Sequence, residues 1–315
     1  KITMAILLMG VLILPTSCKK ELLDLTPTDL LASENFWKTD EDATIALMAA
    51  YASARAVFDR DYYFDGQAGE FTRVRGNSGT AGQILRGDAY QAGSYGPSGY
   101  GASFDKYFSY LYGSVNRSNY VIENITNKML PTATGAKLAS LESIIAEARL
   151  LRGMTYFRLI SMWGDVPYIS KIIYDNSEVT ALARMPIGQV KDSIMADFNY
   201  AVAKLPNKAA ALGRSGKPAA LAFRGKLNLY WGSWKKNGWP ELEGFTQNAG
   251  EATTAFAAAA ADFKSVINDF GLTLYKNGAP GQIDALGKAD ILPNYFELFT
   301  PKANGNPEML MVFTH

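Results

Sequence analysis

Apolar side chains recur along much of the chain at the i, i+3, i+4, i+7 spacing that lines one face of an α-helix. The clearest case is 137–163, where Leu141, Ile144, Ile145, Ala148, Leu151, Thr155, Leu159 and Met162 keep the period. Gly164-Asp165-Val166-Pro167 ends it, with a glycine past the last turn and then a proline that cannot continue the helix. Similar faces predict helices over about 104–126 (Phe104, Phe108, Leu111, Val115, Ile122), 187–205 (Ile187, Val190, Ile194, Phe198, Ala201), 217–236 (Ala220, Phe223, Leu227, Tyr230, Trp234) and 251–270 (Phe256, Phe263, Val266, Ile267). A helix over about 40–58 is announced by its start, since Thr39 with Asp42 three residues on has the form of a capping box.

Helices of this length with short breaks between them predict antiparallel hairpins of tetratricopeptide type. No clean 34-residue sequence period accompanies them, so the repeat is inferred from hairpin geometry alone. Gly225 falls among large apolar residues of its helix and is read as a point of close helix approach. The expected fold is mainly α with minor β, the one strand-like run being NPEMLMVFTH from about Glu308. Residues 62–113 break the pattern. Gly69, Gly76, Gly79, Gly82, Gly87, Gly93, Gly96, Gly99 and Gly101 leave no helical period, and the stretch reads as long loops displaying Tyr90, Tyr95 and Tyr100.

The chain opens differently again. Met4–Leu14 is an unbroken run of apolar residues and glycine, too short to span a hydrocarbon core that needs roughly 20 helical residues. Lys1 precedes it, and Pro15, Thr16 and Ser17 lead to Cys18. This is the form of a signal peptide cleaved before a cysteine that takes lipid. The expected organisation is a signal peptide at 1–17, a lipidated tether at 18–40 and a helical domain at 41–315. That domain is expected to be the first part of a longer chain, because the last strand-like run stops mid-pattern.

Composition narrows the chemistry. The 31 basic and 30 acidic side chains provide no field for nucleic acid. The chain has one Cys and one His, His315, so no zinc cluster or internal disulfide can form, and no metal or cofactor is expected. A charged cluster at Glu147, Arg149 and Arg152 reads as ion pairs between packed helices, since arginine is no base near neutral pH. Asp165 is expected to hold backbone N–H groups of a turn. Asn116, Arg117 and Asn119 are expected to brace one helical pair, and Trp231 and Trp234 to be hairpin core.

Several strings resemble one family. AEARLLRGMTYFRLISMWGDVPYI at 146–169 has its E-x-R-x-x-R helix and W-G-D-V-P turn. NRSNYVIENI at 116–125 precedes it; DSIMADFNYAVAKLP at 192–206, GKPAALAFRGKLNLYWG at 216–232, ADFKSVIND at 261–269 and NPEMLMVF at 306–313 follow in order. Together they resemble the SusD/RagB nutrient-uptake lipoproteins of the Bacteroidetes outer membrane. The resemblance implies a SusD-like α-superhelix of tetratricopeptide-like hairpins. It implies a non-catalytic surface protein, lipid-anchored to the outer membrane, that captures a nutrient. It also implies a SusC-like TonB-dependent transporter as partner.

An oligosaccharide is the leading ligand. Sugars offer apolar C–H faces and hydroxyls, which suit aromatic platforms beside polar side chains. Arg86, Asp88, Tyr90, Gln91, Tyr95 and Tyr100 supply both on the glycine-rich loops, and Trp239 beside Gly238 and Pro240 is a further stacking candidate. The same loops could instead pack on the transporter. A peptide-binding helical scaffold and an α-helical glycosidase using two carboxylates remain the alternatives.

Overall fold

The structure, a computed structural model, describes residues 36–59, 104–239, 241, 243–275, 282–283, 289–290, 298, 300–301, 305–306 and 308–313. Among these, six α-helices carry the fold: α1 (Asp40–Phe58), α2 (Phe104–Asn124), α3 (Gly135–Trp163), α4 (Ile187–Lys204), α5 (Lys217–Asn237) and α6 (Ala249–Asp269). All lie in the compact unit Thr39–His315. The expected helices are all present, with ends within two residues of their predicted positions. Thr39 caps α1 as anticipated: its hydroxyl accepts from Asp42 N–H, and the Asp42 carboxylate accepts from Thr39 N–H.

Successive helices pack on one another, and α1 rests on both α2 and α3. Paired contacts run in opposite directions along each neighbouring pair, so the helices alternate as antiparallel hairpins. Glu142 of α3 meets Lys204 of α4, whereas Arg152 meets Asp197. Gly225 of α5 meets Phe263 of α6, whereas Gly232 meets Phe256. The core between the helices is filled by Leu47, Tyr107, Leu111, Leu141, Leu151, Tyr156, Leu159 and Phe198, all fully buried.

The two hairpins α3–α4 and α5–α6 are built on the same constellation, atom for atom. Arg152 Nε and Nη2 grip both oxygens of Asp197 at 2.8 and 2.7 Å, and Nη1 donates to Asn119 Oδ1 of the preceding helix at 2.8 Å. Arg224 Nε and Nη2 grip Asp262 at 2.9 and 2.6 Å, and Nη1 donates to Asn199 Oδ1 of the preceding helix at 3.0 Å. Each arginine is followed by a glycine and each aspartate by a phenylalanine. A Cβ on Gly153 would stand 2.6 Å from Phe198 Cε1, and one on Gly225 would stand 2.7 Å from Phe263 Cε1. Gly225 is therefore the close-approach residue its setting predicts. The repeat that no sequence period displayed is a pairing of Arg-Gly on one helix with Asp-Phe on the next.

The segment after α3 explains the asparagines of α2. Residues 166–173 run extended, and an extended chain must find partners for its peptide groups. Only Val166 and Met185 form a β-bridge there. Much of the rest is satisfied by one polar stripe of α2 at helical spacing, while the Tyr156 hydroxyl of α3 accepts from Ile169 N–H at 2.6 Å. Tyr112 donates to Pro167 O, Asn116 bonds both the N–H and the C=O of Ile173, Asn119 donates to Ile169 O and Lys171 O, and Glu123 accepts from Ile172 N–H. These residues brace a strand-like segment more than a helical pair; only Asn119, through Arg152, also links helices. Asp165 holds a backbone N–H as expected, that of Ile187 at 2.8 Å.

The minor β content lies elsewhere than anticipated. Gln282–Ile283 (β1) and Ala289–Asp290 (β2) pair antiparallel. Residues 308–313 form no strand; Met309 N–H and Glu308 N–H turn back onto Asn306 instead, and no strand among the described residues lies beside them.

Two outcomes are expected in urea unfolding. Gly225→Ala loses about 1–3 kcal/mol by overpacking, and Phe263→Leu in the same chain restores part of it. Arg152→Met leaves the buried Asp197 with only the more distant Arg149, 3.9 Å away, and costs about 3–5 kcal/mol, whereas Arg152→Met with Asp197→Leu recovers most of the loss.

Candidate functional site

Catalysis would need an acid or base with spare capacity. Among the described residues the buried carboxylates are Glu147, Asp197 and Asp262. Asp197 and Asp262 are held in the arginine clamps. Glu147 is gripped by both Nε and Nη2 of Arg214 and accepts a 2.6 Å hydrogen bond from Tyr51. The Tyr51 hydroxyl accepts from Ser215 N–H at 2.9 Å. Burial first, and then the Glu147 charge, push the Tyr51 hydroxyl well above its ordinary pKa, so it stays protonated. The cluster ties α1 and α3 to the turn before α5. Glu147 and Arg152 thus link packed elements, as their types and spacing imply, and Arg149 does so too, reaching Asp197 of α4 at 3.9 Å while lying over the Tyr200 ring at 4.3 Å.

The aromatic side chains gather where α5 ends. Gly238 takes a positive φ of 75° and closes the helix, its N–H on Trp234 O. The chain then turns, and Trp239 N–H bonds Phe245 O at 2.9 Å. Phe245, on the short 3-10 turn Glu243–Phe245, is nearly fully buried. It stacks on Trp234 at 4.7 Å between ring centres, and Tyr230 and Trp231 meet it at 6.1 and 5.4 Å. Burial pushes the Tyr230 hydroxyl up to about 12. Trp231 is core as expected, whereas Trp234 is only partly buried and packs on Phe245 of the loop rather than inside the hairpin.

Trp239 is placed differently. Its ring meets Trp234 edge-on at 5.7 Å, and it remains 47% exposed. An indole fixed at one edge with its surface open to solvent can stack on an apolar ligand face. Trp239 is the sequence-predicted ligand residue that the structure describes. Arg86, Asp88, Tyr90, Gln91, Tyr95, Tyr100 and the lipid-acceptor candidate Cys18 lie outside the described residues. Phe245 was missed as the anchor of this cluster; it sits in a short loop with no helical period to draw notice to it.

Residues 79–229 match the family profile described as starch-binding and associating with the outer membrane. The chain is similar to SusD-like protein P2 of Formosa agariphila, 26% identical over 220 residues, which are 68% of this chain and 41% of that protein. It therefore spans less than half the length of that relative. Among solved structures, a SusD homolog from Bacteroides thetaiotaomicron superposes with a TM-score of 0.58 at 22% identity, covering 77% of this chain and 43% of the other. A laminarin-binding SusD-like protein superposes with a TM-score of 0.58 at 24% identity, covering 87% and 51%. At such identities these superpositions establish the helical fold.

If Trp239 is a surface platform, Trp239→Ala should leave thermal stability nearly unchanged. Phe245→Ala, removing the buried stacking partner, should cost about 3–5 kcal/mol. Parallel thermal and urea melts of the two variants check the contrast.

Proposed function

We propose that the chain is one of the SusD-like proteins, a non-catalytic lipoprotein of the cell outer membrane that captures an oligosaccharide. It hands this ligand to a SusC-like TonB-dependent transporter. The observation that carries the reading is the helical-hairpin fold shared with a protein that binds laminarin. The exposed Trp239 adds a surface on which a sugar face can stack. No described helix is long and apolar enough to cross a membrane. Attachment is assigned to acylated Cys18 after loss of residues 1–17, and the face turned to the outside is the one that meets glycan. Arg86, Asp88, Tyr90, Tyr95 and Tyr100 are assigned to ligand binding in this reading.

Such binding works through stacking and neutral hydrogen bonds. It releases few counterions, so added salt has little effect on it. Removing residues 1–17 takes away Lys1 and no acid, which leaves 30 basic and 30 acidic groups. Calorimetry with oligosaccharides of laminarin and of starch tests the reading. Tyr95→Ala, Tyr100→Ala and Trp239→Ala are each expected to weaken binding about fivefold, on the order of 1 kcal/mol. Unchanged glycan affinity in all three, with weaker transporter association, would assign these residues to the partner interface. Binding to peptides but to no glycan would replace the ligand class altogether.

Anchoring is tested separately. Cys18→Ala should move the protein out of the membrane fraction and abolish metabolic labelling with a fatty acid. Labelling that persists in that variant would refute the assignment.

A further inference from the structure

From Ala43 to Ala54, a run of 12 residues, α1 carries no charged side chain. A surface helix of a globular protein sets an apolar stripe toward the core and a charged face toward water, whereas a helix apolar all round is covered all round. On α1 only one face is covered. Leu47, Ala50, Tyr51, Ala54 and Val57 are buried, with α2 and α3 packed on the helix. The opposite face lies open: Ile45 is 53% and Met48 39% exposed, and Ala49 and Ala52 are exposed beside them. These four keep the i, i+3, i+4, i+7 spacing of a second apolar stripe.

Charge returns at the two ends of this stripe, with opposite sign. Glu41 is exposed one turn before Ile45. Arg55 follows one turn after Ala52, its side chain 36% exposed. Arg55 also approaches Asp59 at 3.9 Å, a contact that does not exhaust a guanidinium with five donors.

A strip with acid at one end, base at the other and apolar residues between them is complementary to itself turned end for end. Laid antiparallel on a second α1, with the two-fold axis between Met48 and Ala49, Ile45 faces Ala52 of the second copy. Met48 then faces Ala49, and Glu41 meets Arg55 at each end. Every contact is made twice, as a closed two-fold pair requires. A parallel pairing would instead set Glu41 against Glu41 and Arg55 against Arg55, which like charges oppose. Beside the strip lies a recess of about 150 Å³ whose lining includes Met48, Ala52, Arg55 and Leu212. It offers room to the adaptable Met48 side chain of the second copy. Leu212, 62% exposed, widens the apolar surface on that side.

We propose that α1 pairs antiparallel with α1 of a second copy of this chain, through the Ile45–Ala52 stripe and its oppositely charged ends. The contact runs about 21 Å along the helix. That is small beside a standard interface, so the pair forms reversibly and depends on concentration.

The test uses the full chain with Cys18→Ala, which removes its one cysteine. Sedimentation over a concentration series is expected to show monomer and dimer in exchange. Ile45→Glu should leave monomer alone over the same range and keep the melting temperature, because the residue is exposed. Glu41→Arg and Arg55→Glu should each weaken association about fivefold, since both end pairs of the dimer turn repulsive, and the double exchange should restore it. Mild oxidation reads the orientation: chains with Ile45→Cys should cross-link to chains with Ala52→Cys faster than to one another. Ile45→Cys chains joining one another as fast would overturn the antiparallel arrangement. A chain that stays monomeric throughout, or association indifferent to Ile45→Glu, would overturn the proposal. A monomeric chain whose binding to a SusC-like transporter is lost in Ile45→Glu would overturn it as well and give this face to the transporter.

Discussion

The architecture depends on a buried arginine that addresses two helices at once. Arg152 spends two N–H groups on Asp197 and a third on Asn119; Arg224 does the same with Asp262 and Asn199. The planar fork of arginine makes this possible, since its donors diverge in fixed directions. The aspartate closes the hairpin and the asparagine joins that hairpin to the helix before it. Burial works against the charge on Arg152, but the facing Asp197 outweighs it and the guanidinium pKa rises above its ordinary value. Beside each clamp, a glycine lets a phenylalanine ring lie against the neighbouring backbone. Shifting one helix by a turn would separate the ion pair and drive the ring into a residue with a Cβ. Two independent penalties thus enforce one register. Buried ion pairs often add little net stability against an apolar substitute, so the register is the property they chiefly protect.

A scaffold fixed in this way can hold side chains still at its ends. The rim of α5 shows the consequence. Trp234 and Phe245 stack because Gly238 closes the helix and Trp239 N–H ties the returning loop to Phe245 O. Trp231 meets Phe245 as well, at 5.4 Å, and has Lys191 and Lys235 beside its ring. The last turns of α5 and the loop just past its end therefore supply both a buried aromatic core and an exposed platform.

The helices were legible because their apolar period is long and their ends are punctuated. Thr39 and Asp42 marked one start, and Gly164 through Pro167 marked one stop. Gly225 was legible as a close approach because a glycine in a helix costs stability unless something needs the space. The repeat was not legible as a period, because the connections differ: 23 residues of chain before α4, from 164 to 186, but 11 before α6, from 238 to 248. Only the short pairs Arg-Gly and Asp-Phe recur, and their partnership is a matter of contact. The roles of Asn116 and Asn119 were half legible. Their shared helix face was evident, but the object they hold is an extended segment some 50 residues away. Of the ligand candidates, Trp239 stood out by its loop setting. Lys191, Lys235 and Glu251 look like ordinary surface charges until the fold brings them round one indole.

The clamp also determines where it can stop. Each joint to a preceding helix needs an acceptor two positions after the aspartate-equivalent residue, and Asn199 fills that place on α4. On α6 the corresponding residue, two after Asp262, is Lys264. An ammonium group only donates, so it cannot receive a guanidinium N–H, and two like charges would meet there. A third hairpin could not join α6 by the device that joins the first two. The outer face of α6, where Lys264 and Ile267 are exposed, is thus chemically unlike the inner faces of α2 and α4. Among the described helices the clamp therefore occurs twice, and the α6 position that would carry it further holds Lys264 in place of an acceptor.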